Sequence, residues 1–94
     1  MNYVVSTIWK HPADMDKARM REVQSQWRDN PNLVNIYWFE IDSQTHGSVS
    51  IYTSRAAFEA NFAQQEAHRS KSTSETGITM THEAQGECFA VLHD

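Results

Sequence analysis

The sequence predicts an α+β protein in which strands and helices follow one another in the order βαββαβ. Four segments are rich in β-branched and aromatic residues, and two segments between them carry apolar residues at helical spacing. With 94 residues the chain has room for one hydrophobic core. We therefore expect a single domain that covers residues 1–94.

The first strand and the first helix are predicted from a change in the spacing of apolar residues near Pro12. Tyr3–Trp9 is β-branched and aromatic and contains neither glycine nor proline, which favours a strand. Pro12 ends this strand because proline cannot donate to the ladder. From Ala13 to Asp29 the apolar residues recur at helical spacing, with two aspartates in the predicted first turn and Arg28 in the last, as the helix dipole favours.

A hairpin is predicted in the middle of the chain. Leu33–Ile41 and His46–Thr53 both have strand composition, and the polar turn residues of 42–47 separate them. Both faces of the first of these strands are apolar. One face carries Leu33, Tyr37, Phe39 and Ile41, and the other carries Val34, Ile36 and Trp38.

A second helix and a last strand complete the order. The helix is predicted at Arg55–Arg69, capped by Ser54 and rich in alanine. A polar, mobile connection is expected over Ser70–Gly77, followed by a strand at Ile78–Ala84. A bend at Gln85–Gly86 is expected to precede a further extended segment.

The two-faced apolar strand predicts a face-to-face homodimer. Two helices cover only one face of a four-stranded sheet, so the other face of a monomer should be polar. An apolar face left in water would cost on the order of 25 cal/mol per Å², and association of two copies through their sheets removes that cost. The alternative is that loops or the C-terminal tail cover the face.

Composition argues against several classes of partner. The net charge is −4 and the basic residues are scattered, whereas nucleic-acid binding requires a clustered basic face. The N-terminal residues resemble no signal peptide and no segment is long enough to span a bilayer, so no membrane partner and a cytoplasmic location are expected. Cys88 is the single cysteine and the 5 histidines lack ligand-like spacing, so no metal is expected.

One stretch carries a family resemblance. Residues 30–60 read NPNLVNIYWFEIDSQTHGSVSIYTSRAAFEA, a proline-led aromatic strand, a polar turn, a Gly-Ser-led strand and an alanine-rich helix. This pattern resembles the dimeric α+β-barrel superfamily of ferredoxin-like proteins, and most closely the antibiotic-biosynthesis-type monooxygenases. The resemblance implies a ferredoxin-like fold, a homodimer and a pocket between the sheet and the helices.

The same resemblance implies candidate site residues. His68 is the candidate base, because imidazole titrates near neutral pH, and Tyr52 is the candidate donor to a developing oxyanion. The residues expected to bind substrate are Trp9, Tyr37, Trp38, Phe62 and His82. The residues taken alone favour a helix core for Phe58 and Phe62 and an exposed helix end for His68, and they allow a dimer interface for Trp38.

The predicted function is the binding of a small aromatic or enolic molecule, with cofactor-independent monooxygenation as the expected reaction and no cofactor required. The haem-degrading branch of the superfamily has a histidine where this chain has His68. It differs at Ser6–Thr7 and at Tyr52, so haem degradation is not predicted. Two alternatives remain open from the residues: a non-enzymatic ligand-binding or sensing dimer, and a proton-transfer isomerase or lyase of the same fold.

Overall fold

The predicted order of six elements is confirmed. The computed structural model describes the backbone of residues 1–93 and the side chains of that range except those of Ala63, Gln65, His68 and residues 71–75. Its elements are β1 (Tyr3–Lys10), α1 (Lys17–Ser25), β2 (Leu33–Asp42), β3 (Thr45–Tyr52), α2 (Arg55–Thr76) and β4 (Thr79–Glu87).

The four strands form one antiparallel sheet in the order β2-β3-β1-β4. β1 lies inside the sheet and pairs with both β3 and β4, so that Tyr3 faces Tyr52 and Trp9 faces His46 across the β1–β3 ladder. The predicted hairpin is confirmed, since β2 and β3 pair through a two-residue connection, Ser43–Gln44. This is the ferredoxin-like fold that the sequence resemblance implied.

The packed core occupies one end of the interior, where β1 begins and β3 ends. Tyr3, Val5, Tyr52 and Phe58 are buried together, and Leu33 packs against them. The ring of Phe58 lies 5.2 Å from that of Tyr3 and 5.3 Å from that of Tyr52, in the tilted arrangements that aromatic quadrupoles favour. Ser54 caps α2 by accepting the Ala57 N–H at 3.0 Å, which fixes the first turn over this core.

α1 is shorter than the sequence predicted. It begins at Lys17, and Asp16 is its N-cap, whose carboxylate accepts the Arg19 N–H at 3.0 Å. The predicted start at Ala13 and end at Asp29 are wrong, as are the charged first and last turns, since α1 has no acidic residue in its first turn and no basic residue in its last. The segment between β1 and α1 is not helical at its start, because it is hydrogen-bonded to the β2–β3 hairpin: the His11 N–H donates to the Gln44 carbonyl at 2.7 Å.

α2 is longer than the sequence predicted. It runs to Thr76, so the expected polar connection over Ser70–Gly77 is wrong for all but its last residue. Serine and threonine cost a helix only tenths of a kcal/mol each relative to better formers, and Gly77, with φ of 74°, supplies the left-handed residue at which helices commonly end. No described helix combines the length and the apolar character that crossing a membrane requires.

β4 also differs from the prediction near its ends. It is continuous through Gln85 and Gly86, where a bend was expected, and the register shift lies elsewhere, between the partners of Ile8 and Trp9. The expected extended continuation forms no strand beyond Glu87. Phe89 and Leu92 in that C-terminal segment are 94% and 91% exposed.

The sheet has an outward face, turned away from the helices, and this face is apolar as expected. β2 contributes Tyr37, Phe39 and Ile41, each about half exposed in the single chain. The prediction that Leu33 lies on this face is wrong. The register of β2 against β3 shifts just after Leu33, so that its side chain packs against the core. The ring of Phe39 covers Gly47 on β3 so closely that a Cβ at that position would displace the ring.

Candidate functional site

The half of the interior opposite the packed core is hollow. A cavity of about 320 Å³ lies there between the sheet and the two helices, at the lower end of the range of roughly 300–1,000 Å³ for small-molecule pockets. Its described lining residues are Thr7, Trp9, His11, Arg19, Met20, Val23, Trp27, Ile36, Trp38, His46, Ser48, Ser50, Arg69, Thr76 and Ile78.

Three tryptophans dominate the wall of this cavity. Trp9 and Trp38 stand on β1 and β2 and point toward the helices, because each alternates with an outward-facing neighbour. Trp27 follows α1 and, with Met20 and Val23 on that helix, forms the opposite wall. These three residues belong to the apolar helical spacing predicted between Ala13 and Asp29, and they face the cavity, where aromatic and apolar walls suit a flat aromatic ligand.

A buried pair of histidines lies at one end of the cavity. His11 Nε2 and His46 Nδ1 are 2.7 Å apart, and each residue is 8% exposed. β3 places His46 opposite Trp9, and the chain after β1 carries His11 to the same end. The ring of His46 also lies parallel to that of Trp9 at 6.5 Å and at 5.7 Å from that of Trp38, so the tryptophans surround it.

Burial keeps this pair uncharged near neutral pH. Desolvation, and second the proximity of His11, lower the pKa of His46 from 6.5 to about 4. Desolvation also lowers the pKa of His11. At neutral pH both rings are therefore neutral, and a single proton lies between the two facing nitrogens.

The position of that proton decides what His46 can do. If Nδ1 of His46 carries it and donates to Nε2 of His11, then Nε2 of His46 has a free lone pair. In this tautomer Nε2 of His46 can accept a proton. The pair can then move its shared proton from His46 to His11, which spreads the charge over two rings.

A second polar group lies along the floor of the cavity. The Trp9 Nε1–H donates to Thr7 Oγ1 at 2.9 Å, and Thr7 Oγ1 and Ser48 Oγ share a further hydrogen bond. Thr7 and Ser48 are nearly fully buried, yet their hydroxyls are satisfied by one another and by the indole. This chain fixes the orientation of Trp9 in the wall.

Arg69 reaches the cavity from α2. Its side chain is 15% exposed, and its Nη1 contacts Glu83 at 2.7 Å and Glu66 at 3.2 Å. The two carboxylates hold the guanidinium in place, and neither belongs to the described lining of the cavity.

Metal binding has little support in the described part of the chain. No group of three or more His, Cys, Asp or Glu side chains is arranged there to hold an ion. The two imidazoles face each other at hydrogen-bonding distance.

Two of the predicted substrate-binding residues line the cavity and three do not. Trp9 and Trp38 are in its wall. Tyr37 and His82 lie on the outward face of the sheet, opposite Val49 and Ile8 respectively, and both are exposed. Phe62 is 47% exposed on α2 and contacts Phe58 rather than the cavity, so the expected Phe58–Phe62 core is half correct.

Of the two predicted catalytic residues, Tyr52 lies outside the cavity and His68 is not tested by the structure. Tyr52 is fully buried in the packed core at the far end of the interior, and burial raises its pKa to about 12. It is absent from the described lining of the cavity. The side chain of His68 lies outside the described residues, so its predicted role as a base stays a prediction.

Sequence reasoning missed the His11–His46 pair. The two residues are 35 positions apart, and their contact depends on the exact register of β1 against β3. The available signal was that one histidine follows the first strand and the other begins the third. These ends meet only if the two strands are antiparallel neighbours.

Comparisons with known proteins agree with this architecture. No protein-family model and no curated protein sequence matches the chain. Among solved structures, SnoaB from Streptomyces nogalater, a cofactor-independent oxygenase, is similar with a TM-score of 0.75 at 9% identity, over 99% of this chain and 98% of that one. The chain has the fold of that oxygenase.

Two further structures have the same fold. A monooxygenase from the gene ActVA-Orf6 of Streptomyces coelicolor, solved with the ligand nanaomycin D, has a TM-score of 0.65 at 14% identity over 99% of this chain and 93% of that one. A dimeric ferredoxin-like protein from an uncultured marine organism has a TM-score of 0.65 at 17% identity over 99% and 98%. At these identities the similarity shows the fold alone.

Proposed function

We propose that this chain is one subunit of a homodimer that oxygenates a small phenolic or enolic aromatic molecule without a cofactor. The observation that carries the proposal is the tryptophan-walled cavity with a buried, neutral histidine pair at one end. An apolar cavity with few polar groups is the usual form of a small-molecule site. The fold shared with a cofactor-independent oxygenase supports the reaction class.

His46 acts as the general base in this proposal. Its Nε2 takes the proton of the substrate hydroxyl, and Nδ1 hands the shared proton toward His11. The resulting electron-rich anion donates one electron to dioxygen, and the radical and superoxide combine at a ring carbon that carries a hydrogen atom to give a peroxide anion. This anion takes the proton held by the histidine pair and becomes a hydroperoxide. Loss of water leaves a carbonyl there, so one oxygen atom enters the product and the other leaves as water.

The walls of the cavity contribute by excluding water. An enolate or phenolate in water is stabilised by its hydration shell, which makes it a poorer electron donor. Trp9, Trp27 and Trp38 replace that shell with aromatic surface. The anion is therefore more reducing in the cavity than in solution.

Oxygen uptake tests the proposal. An electrode would follow dioxygen consumption with a panel of phenols, naphthols and tricyclic ketones that enolise, and mass spectrometry with ¹⁸O₂ would count the atoms in the product. His46→Asn keeps a group that can bond His11 but removes the accepting nitrogen. We expect it to lower turnover about a hundredfold or more, within the range typical of a general base.

His82→Asn is the matched control, because His82 is exposed on the outward face of the sheet. Its turnover should equal that of the unaltered protein, and circular dichroism would show that both variants are folded. Equal turnover of His46→Asn and His82→Asn would refute the role of His46. Exchange of carbon-bound protons with solvent without oxygen uptake would favour a proton-transfer isomerase instead, because the same histidine pair serves that reaction.

A further inference from the structure

The cavity has a charge character that the proposed reaction does not require. Arg19 and Arg69 line it from the two helices, and among its described lining residues there is no aspartate or glutamate. This occurs in a chain with a net charge of −4. The histidine pair at the other end is neutral, so the charged groups of the described wall are the two arginines, whose carboxylate partners lie outside the described lining.

We propose that the substrate is an aromatic acid, whose carboxylate binds Arg69 while its ionisable hydroxyl lies at the His11–His46 pair at the opposite end of the cavity. This inference rests on the proposed function and names the substrate class of the same site. Arginine suits such a role because its planar guanidinium matches the two oxygens of a carboxylate.

Arg69 is held where a ligand can reach it. The side chain is 15% exposed, and both Glu66 and Glu83 contact the same nitrogen, Nη1. A guanidinium has five N–H donors, of which Nη1 carries two. Among the described contacts, both ion pairs orient the group through Nη1, so a ligand carboxylate would be bound through Nε and Nη2.

The distance between the two ends defines the shape of the ligand. Glu83, the partner of Arg69, lies opposite Thr7, whereas His46 lies opposite Trp9. The two positions are thus separated by two residues along the strands and by two strand spacings, about 7 Å and about 10 Å, or roughly 12 Å in all. Side chains extend inward from both positions, which leaves the length of a fused bicyclic ring that carries its two polar groups at opposite ends.

Binding can be measured without turnover because tryptophans line the cavity. Quenching of their fluorescence would be titrated with three probes: a hydroxynaphthoic acid with its groups at opposite ends of the ring system, the isomer with adjacent groups, and the methyl ester of the first. We expect the first acid to bind at least about tenfold more tightly than the ester, as for a hydrogen bond to a charged group, and more tightly than the adjacent isomer. Added salt should weaken only the acids.

Variants assign the effect to Arg69. Glu83→Gln removes one competing carboxylate and should tighten binding of the first acid several-fold while leaving the ester unchanged. The double variant Arg69→Met/Glu83→Gln removes both charges of the Arg69–Glu83 ion pair and leaves Glu66 with a side chain that is 47% exposed to water. It should bind acid and ester alike. Arg55→Met is the matched control, since Arg55 lies on α2, pairs with Glu59 and is 66% exposed; its binding should equal that of the unaltered protein.

Several outcomes would overturn the inference: no binding of the first acid, equal binding of acid and ester to the unaltered protein, or equal affinity of the double variant and Arg55→Met for the acid. Oxygen uptake with neutral enols alone would overturn it while leaving the proposed function in place. Selective binding of the acid with no oxygen uptake from any substrate would keep the assigned ligand class and overturn the oxygenase.

Discussion

At the scale of single residues, His46 shows how burial sets the chemistry of a site. Its ring is enclosed by Trp9, Trp38 and the neutral His11, and no described carboxylate hydrogen-bonds to it. A charged imidazole in this place would lose its hydration and would lie beside the ring of His11, so the pKa is lowered. The same side chain in water would be half protonated at pH 6.5, so burial keeps more of the ring in the neutral form that accepts a proton but makes that form a weaker base.

The lowered pKa predicts how stability depends on pH. Between pH 6.5 and about 4 the unfolded chain binds a proton at His46 that the folded chain does not, so the free energy of unfolding decreases as the pH falls through this window. The full difference is on the order of 3 kcal/mol. Urea unfolding at a series of pH values would measure it.

His46→Asn removes this titration, so its free energy of unfolding should vary less across that window than that of the unaltered protein. His82→Asn should leave the pH dependence unchanged, because His82 is exposed. Parallel curves for His46→Asn and the unaltered protein would contradict the assignment of a neutral, buried His46.

At the scale of secondary-structure elements, the length of α2 shapes the cavity. The helix extends past Arg69 to Thr76, and both residues reach the cavity wall. It ends at Gly77, whose φ of 74° lets the chain turn back toward β4. A helix that ended at Arg69, as expected from composition, would not have placed Thr76 in the cavity wall.

Gly77→Ala tests this end of the helix. An alanine would be forced into a left-handed conformation, which costs roughly 1–2 kcal/mol. Crowding adds little, since the nearest atom to an added Cβ is Pro12 Cγ at 3.4 Å. Thermal or urea unfolding would measure the loss.

Gly86→Ala is the control within the following strand, because an added Cβ there meets nothing within 4 Å. We expect its stability to change by no more than about 0.5 kcal/mol. Equal losses from the two substitutions would show that the backbone conformation at Gly77 is not the cause.

At the scale of the whole molecule, the two faces of the sheet differ in what covers them. The helix-facing side is divided between a packed end around Phe58 and a hollow end around His46. The outward side exposes large apolar side chains from β2, among them Tyr37 at 56% and Phe39 at 49%. A patch of this kind is typical of a surface that a partner covers.

A homodimer through the outward faces predicts that a charge there separates the subunits. Phe39→Glu should convert the dimer, with twice the chain mass of 10.8 kDa, into a monomer of 10.8 kDa, because the dimer would bury the carboxylate against apolar surface. Light scattering after size-exclusion chromatography would measure this. Phe62→Glu is the control, since Phe62 is equally exposed, at 47%, but lies on α2; its mass should not change. A monomer for the unaltered protein would refute the proposed interface.

Much of the fold could be predicted because it depends on local patterns. The alternation in β2, the polar turn before β3 and the serine cap of α2 each act within a few residues, and their order implied the sheet and its apolar outward face. Element ends were less accurate where tertiary contacts decide them. The loop before α1 bonds to the hairpin through His11. Serine is only slightly unfavourable in a helix, and α2 continues through the serines of this segment to Thr76.

The sequence by itself determined the element order and the two-faced character of β2, but it left Trp38 open between the cavity and a dimer interface. Only the tertiary structure decided which titratable groups meet. His11 and His46 come together, Tyr52 lies in the core and Tyr37 faces away from the cavity. The physical reason is that composition and periodicity act along the chain, whereas a site depends on strand register. A shift of one residue moves a side chain to the opposite face of the sheet.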